Sequence, residues 1–114
     1  MVRPFGTSEP ETALRAYLYL IGCAEDRRSV TYAELARQVK LGGLNLLAKP
    51  LDLITKYCKA NELPALASLV VEQATRLPAP GFDVVSRQEL PAEQERVWDY
   101  DWFAIHPPAL EELT

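Results

Sequence analysis

Residues 29–43 read Ser-Val-Thr-Tyr-Ala-Glu-Leu-Ala-Arg-Gln-Val-Lys-Leu-Gly-Gly, and this stretch decides the predicted fold. Thr31 and Glu34 have the spacing of a capping box, in which a hydroxyl and a carboxylate satisfy the free N–H groups at a helix start. Apolar residues at 33, 35, 36 and 39 continue the helix to about Lys40, and Leu41-Gly42-Gly43 breaks it. The stretch therefore predicts the first helix of a helix-turn-helix pair.

The flanking segments extend this pattern in both directions. An amphipathic helix is predicted over about 10–25, and a second helix of the pair runs from Leu44 to about Asn61, interrupted or restarted near Pro50. β-branched residues in 66–71 predict a strand, and Pro and Gly make 74–82 a loop. The predicted fold class is α+β and mostly α, a winged helix-turn-helix with a β-wing and an acidic, aromatic C-terminal extension.

Length and composition predict one domain with a hydrophobic core. The chain has 114 residues, of which 48% are hydrophobic and 25% charged, which excludes a wholly disordered chain. We expect a single domain over 1–114, with the winged-helix core at about 9–82 and the extension at about 83–114. No apolar run is long enough for a membrane span, and the first residues lack a signal-peptide pattern, so a cytoplasmic protein with reduced thiols is predicted.

Charge is distributed unevenly along the chain. Residues 1–82 hold ten basic and eight acidic residues, a net charge of +2, whereas 83–114 hold two basic and eight acidic residues, a net charge of −6. Between Arg27 and Lys59 the net charge is +5. A basic middle favours a nucleic-acid partner, and an acidic end favours a basic protein.

Few residues are candidates for catalysis. His106 is the single histidine and precedes two prolines, and Cys58 and Cys23 are predicted to be buried small hydrophobic residues. The spacing of these residues fits no metal site and no cofactor motif is present, so we expect neither a metal nor a cofactor. An enzyme is therefore the third hypothesis, behind two binding functions.

Basic and amide side chains on the predicted helix pair are candidates for DNA contacts, because such a pair places its second helix in the major groove. Lysine and arginine supply the phosphate contacts, and an asparagine can read a base edge. The alternative is that these cations only solvate helix faces. The candidate residues are Arg37 and Lys40 on the first helix, Asn45, Lys49, Lys56 and Lys59 on the second, and Arg76 at the tip of the wing.

The order of these motifs resembles the DNA-binding domain of alkylguanine-DNA alkyltransferases and alkyltransferase-like proteins. The resemblance covers about 29–82 and rests on Val30-Thr31-Tyr32-Ala33-Glu34-Leu35-Ala36, a glycine turn, a helix and a Pro-x-x-x-x-Val-Val strand. It implies a winged-helix domain that binds duplex DNA, with Tyr32 matching the family tyrosine that contacts DNA beside a rotated nucleotide. The residue-based alternative for Tyr32 is packing behind its own cap.

The chain departs from this family at its reactive residues. Where the family has Pro-Cys-His-Arg, this chain has Ala67-Ser68-Leu69, which offers neither a thiol acceptor nor an imidazole base. The arginine that fills the gap left by a flipped base aligns with Asn45 or Leu46. The resemblance therefore implies a DNA-binding scaffold without alkyl transfer.

The C-terminal segment places aromatic residues between acids, and three hypotheses remain open for it. Its aromatics can fold back on the first helix, or they can form a docking surface for a basic protein, as in an immunity-type or antitoxin-type protein. The acidic segment can also cover the basic face and regulate it. The candidate partner-binding residues are Trp98, Asp99, Tyr100, Asp101 and Trp102.

Overall fold

The computed structural model describes residues 2–114, and at Leu44 the backbone alone. Over this range the protein is mostly helical, with one small sheet. The α-helices are α1 (Glu9–Glu25), α2 (Tyr32–Gln38), α3 (Ala48–Ala60) and α4 (Leu90–Asp99). The strands are β1 (Val30–Thr31) and β2 (Val70–Val71), and short 3-10 helices lie at Leu44–Leu47, Leu66–Leu69, Trp102–Ala104 and Leu110–Leu113. No helix among the described residues has the length and apolar character that crossing a membrane requires.

Helix α1 confirms the helix predicted over about 10–25. The Ser8 hydroxyl accepts a hydrogen bond from the Glu11 N–H at 3.3 Å, and Pro10 lies in the first turn, where no N–H donor is needed. One face of the helix is buried against α3, with Ala13, Tyr17 and Leu20 each no more than 1% exposed. Of the apolar residues whose spacing predicts this helix, Tyr17 and Ile21 are buried and Leu14 is partly buried, whereas Leu18 is 38% exposed.

The sheet consists of one parallel pair, in which Val30 lies opposite Val70 and Thr31 opposite Val71. The strand predicted over 66–71 is wrong for Leu66–Leu69, which forms a 3-10 helix with all four side chains buried. Strand β1 ends where Thr31 caps α2, so it offers only two residues for pairing. The backbone polar groups before Val70 therefore form hydrogen bonds within their own segment. For example, the Ser68 N–H donates to the Ala65 carbonyl at 2.9 Å.

Residues 72–82 form a loop at the place predicted for the β-wing. The Glu72 N–H donates to the Leu77 carbonyl and the Arg76 N–H donates to the Glu72 carbonyl, both at 2.8 Å. Arg76 closes this turn in the left-handed conformation, with φ of 58°. Among residues 2–114 no strand follows β2, so the described part of the chain contains no antiparallel wing.

Helices α2 and α3 follow each other as predicted, but their ends differ. Helix α2 ends at Gln38, and Lys40, rather than a glycine, takes the left-handed conformation, with φ of 62°. The Leu41 N–H then donates to the Ala36 carbonyl at 2.9 Å, which satisfies a carbonyl of the last turn. Pro50 does not interrupt α3, because it lies in the first turn of that helix.

The C-terminal segment belongs to the same core as the rest of the chain. Helix α4 has Pro91 in its first turn, and Val97, Trp102 and Leu113 are each no more than 1% exposed. The Trp102 ring meets the Tyr17 ring of α1 edge to face at 6.2 Å. The hypothesis that the tail aromatics fold back on the first helix is therefore confirmed for Trp102.

Candidate nucleic-acid interface

A groove of about 460 Å³ lies where the start of α2, the 44–47 turn and the 72–82 loop meet. Its surface is mostly apolar, with polar side chains at Asn45, Glu72 and Gln73. The groove exists because β1 and β2 are neighbours, so the residues that follow each strand come together at one edge of the sheet. The residues of the groove used below are Thr31, Tyr32, Ala33, Asn45, Gln73 and Phe82.

Tyr32 forms part of the groove wall. It is 8% exposed, its hydroxyl accepts a hydrogen bond from the Ala79 N–H at 2.8 Å, and its ring meets Phe82 edge to face at 5.0 Å. Burial raises the pKa of the Tyr32 hydroxyl, so the group stays protonated at neutral pH. Tyr32 thus holds the loop to α2 and leaves only a small part of its own surface to a ligand.

A smaller cavity of about 110 Å³ lies on another side of the same aromatic pair. Tyr32 and Phe82 line both cavities, and Ala48, Leu51 and Thr55 form the α3 side of the smaller one. The Tyr32–Phe82 pair is therefore a wall between the groove and the interior near α3.

Asn45 is exposed and lines the groove from the 3-10 helix that precedes α3. Its side chain turns back over the glycine turn, because a Cβ added at Gly43 would lie 2.9 Å from Asn45 Oδ1. Gly43 therefore permits the close approach of this amide, which is one reason for glycine before α3.

The predicted cations fall into two groups. Arg37, Lys40, Lys49 and Lys59 are exposed and have no carboxylate within 4.0 Å among the described residues. Lys56 instead pairs with Asp52 at 3.1 Å, and Arg76 donates to Ser29 Oγ at 2.7 Å. Arg37 lines a second groove next to the first, whereas the other predicted cations line neither groove: Lys40, Lys49, Lys56, Lys59 and Arg76.

Sequence reasoning missed Gln73 and Phe82 as groove residues. Nothing in the pattern around Gln73 marks it, since its place in the groove follows from the pairing of β1 with β2. The packing of Phe82 could have been predicted from the sequence, because a large apolar residue next to Gly81 in a proline-rich loop needs a surface to pack on.

Among the predicted partner-binding residues, Trp102 is buried, so the prediction that it contacts a partner is wrong. It is 1% exposed, and its indole N–H donates to the Val97 carbonyl at 2.8 Å, so it offers no surface to a partner. Trp98 is half-buried against Arg27, and its indole N–H donates to the Arg28 carbonyl at 3.3 Å. Both tryptophans therefore attach the C-terminal segment to the rest of the fold.

The acidic residues predicted to bind a partner are exposed. Asp99 and Asp101 are exposed, and Tyr100 is half-buried against Trp102. The Arg27 guanidinium binds both Asp99 and Glu95 of α4 at 2.8 Å. The acidic segment thus pairs with Arg27 before β1, and its ion pairs do not reach Arg37, Lys40 or Lys49 on the predicted basic face.

The candidate catalytic residues lie apart from the groove. Cys23 and Cys58 are free and buried, and burial raises the pKa of the Cys58 thiol to about 11, so this thiol is protonated at neutral pH. His106 is exposed. In residues 2–114 no three His, Cys, Asp or Glu side chains converge as a metal site would require.

The chain matches no protein-family model, no curated protein and no solved structure in three separate comparisons. The fold and the site therefore define it through its own geometry, as a small, mostly helical α+β domain with an apolar groove beside exposed cations.

Proposed function

We propose that the protein is a non-catalytic DNA-binding domain of the winged helix-turn-helix type, resembling alkyltransferase-like proteins, and that it binds duplex DNA with α2, α3 and the 72–82 loop. One observation carries the proposal. Asn45, singled out from sequence as a contact to a base edge, is exposed and lines the groove whose wall the buried Tyr32 forms. An amide side chain at a groove edge can pair with a base edge.

The charges around the groove support the same function. Arg37 and Lys40 precede the glycine turn along the chain, Lys49 lies in the first turn of α3, and no described carboxylate neutralises them within 4.0 Å. Cations that lack a protein partner are available for phosphates, which supply most of the salt-dependent affinity for DNA. In this proposal the 72–82 loop contacts the DNA in the position of a wing, although its backbone is a turn.

The absence of a reactive group from 67–69 supports binding without group transfer. Ser68 holds the place nearest the family cysteine, and it is 0% exposed within the Leu66–Leu69 turn. A hydroxyl that no ligand can reach cannot act as a nucleophile. The proposed function is therefore recognition alone.

Fluorescence anisotropy with a labelled duplex of about 20 base pairs, at roughly 50 mM and 200 mM salt, tests the proposal. We expect binding that weakens with salt, and a Lys49→Glu/Arg37→Glu variant should lose affinity and reduce the salt slope by about 0.9 for each lost phosphate contact. Arg96→Glu is the charge-reversal control, because Arg96 is exposed on α4 and none of the other residues in its cavity belongs to α2, α3 or the 72–82 loop. Absence of binding at the lower salt, or equal losses in the control, contradicts the proposal.

A second candidate function rests on Phe103. Its side chain is 66% exposed on the turn that buries its neighbour Trp102, and Asp101 beside it is exposed. An exposed aromatic ring next to acids suits a basic protein partner. This function would be favoured if a basic protein binds to the immobilised wild type and to Lys49→Glu but does not bind to Phe103→Ala. Under the DNA proposal, Phe103→Ala leaves the affinity for DNA unchanged.

A further inference from the structure

A second groove adjoins the first along the exposed side of α2. It has a volume of about 320 Å³ and lies between α2 and the glycine turn, lined by Ala33, Ala36, Arg37, Leu41, Gly42 and Gly43. Ala33 lines both grooves, so they meet at the first turn of α2. The first groove has a volume in the range of small-molecule pockets, roughly 300–1,000 Å³, whereas the second is a shallow, open depression.

The chemistry of the first groove suits bases better than phosphates. The first groove is mostly apolar, and its polar groups at Asn45, Glu72 and Gln73 can accept or donate hydrogen bonds. Glu72 repels a phosphate but accepts hydrogen bonds from a base amino group. The apolar faces of bases are hidden by stacking inside a duplex, and they become available only where nucleotides are unpaired.

Positive and negative side chains lie in different grooves. Arg37 lines the second groove, Lys40 lies next to its residue Leu41, and both side chains lack a carboxylate within 4.0 Å among the described residues. Glu72 lies in the first groove. A strand placed along α2 can therefore set its phosphates on the Arg37 and Lys40 side while its bases enter the grooves.

We propose that the two grooves form one channel over Ala33. This channel binds the unpaired nucleotides of a DNA strand, and the same strand continues into a duplex beside the channel. This inference rests on the proposed DNA-binding function, and it names the form of DNA that the protein prefers. The cations of α3 bind the duplex phosphates, and the channel binds the unpaired stretch through base faces and edges.

Anisotropy titrations with three probes test the inference: an intact duplex, the same duplex with a gap of about two nucleotides in one strand, and the single strand alone. We expect the gapped duplex to bind about tenfold more tightly than the intact duplex, the effect of stacking one base on an aromatic ring, which in the first groove is the partly exposed Phe82. Ala33→Trp fills the junction of the grooves, so the ratio of the affinities for gapped and intact duplex should fall to about one. Ala92→Trp, a matched change at an exposed position of α4, should keep the preference.

Gly42→Val tests the second groove by itself. A Cβ at Gly42 meets no atom within 4 Å, so the variant retains its fold, but the added methyl groups narrow the α2 groove. We expect a partial loss of the preference for gapped DNA. Circular dichroism of each variant confirms that it is folded.

The outcomes separate this inference from the function on which it rests. Equal affinity for intact and gapped duplex overturns the channel but leaves duplex binding in place. A single strand that binds as tightly as the gapped duplex supports the channel and overturns the role of duplex. Absence of binding to all three probes overturns both.

Discussion

The hydroxyl oxygen of Tyr32 accepts a hydrogen bond from the backbone N–H of Ala79 at 2.8 Å, across 47 positions of the chain. This bond joins the first residue of α2 to the loop on the far side of the groove. The Tyr32 ring also packs edge to face on Phe82 of the same loop. One side chain therefore sets both the position of the loop and the width of the groove.

We expect Tyr32→Phe to keep the ring packing and to lose this hydrogen bond. The Ala79 N–H then lacks its acceptor, which should lower the free energy of unfolding by about 1–2 kcal/mol. Urea denaturation measures this loss, and amide hydrogen exchange should become faster at Ala79. Tyr100→Phe is the control, and an equal loss of stability in that variant would mean that the Tyr32 bond contributes nothing specific.

Adjacent aromatic residues at the C-terminus should differ sharply in their effect on stability. Trp102 is 1% exposed and Phe103 is 66% exposed. Trp102→Ala should lower the free energy of unfolding by about 3–5 kcal/mol because it leaves a cavity in the core. Phe103→Ala should change the free energy by less than about 0.5 kcal/mol. Thermal unfolding followed by near-UV circular dichroism distinguishes the two, and similar losses would contradict the packing described for Trp102.

Helix α4 holds the segment before β2 through two neighbouring side chains. The Glu93 carboxylate accepts a hydrogen bond from the Ala65 N–H at 2.7 Å, and the Gln94 amide donates to the Ser68 carbonyl at 2.9 Å. These bonds hold both ends of the Leu66–Leu69 turn, which leads into the strand that precedes the groove.

Glu93→Ala should therefore destabilise the protein by about 2 kcal/mol, because it leaves the Ala65 N–H without an acceptor. Glu93→Gln keeps an oxygen acceptor and should lose less. Glu95→Ala is the matched control, since the Glu95 side chain is 57% exposed and its ion pair with Arg27 contributes little. Chemical denaturation of the three variants measures these differences, and a Glu95 loss as large as that of Glu93→Ala would refute the role of the buried carboxylate.

Stability should fall in acid through Glu34. The Tyr19 hydroxyl donates to the Glu34 carboxylate and Arg28 pairs with it at 3.2 Å, and together they hold the pKa of this carboxyl below its ordinary value. Because the pKa is lower in the folded state than in the unfolded state, this contribution is present at neutral pH. It is lost as the pH falls from the ordinary glutamate pKa, about 4.3, through the lowered value.

Urea midpoints measured between neutral pH and about pH 3 test this dependence. Glu34→Gln should flatten the acid limb of the profile, and Tyr19→Phe should make the loss smaller and confine it to pH values nearer the ordinary glutamate pKa, since it removes the largest cause of the lowered pKa. If the loss of stability in acid is identical in the wild type and in Glu34→Gln, that loss comes from other carboxyl groups.

The local elements of this protein were predictable from its sequence because each depends on neighbours along the chain. Ser8 caps α1, Thr31 caps α2 by accepting from the Glu34 N–H at 3.1 Å, and Pro91 lies in the first turn of α4. Apolar spacing also indicated the buried faces of α1 and α3. These are short-range effects, so residue type and spacing are sufficient to predict them.

Tertiary structure decided the features that depend on distant partners. The spacing of Thr31 and Glu34 predicts a full capping box, yet the Glu34 carboxylate binds Tyr19 and Arg28, which a separate helix and turn bring within reach. Pairing of β1 with β2 limits the second strand to two residues, so 66–69 forms a 3-10 helix. The groove likewise depends on that pairing and on the bond between Tyr32 and Ala79. Sequence spacing determined the helices and their caps, whereas contacts across 40 or more residues, including the 47 between Tyr32 and Ala79, decided where the candidate site lies.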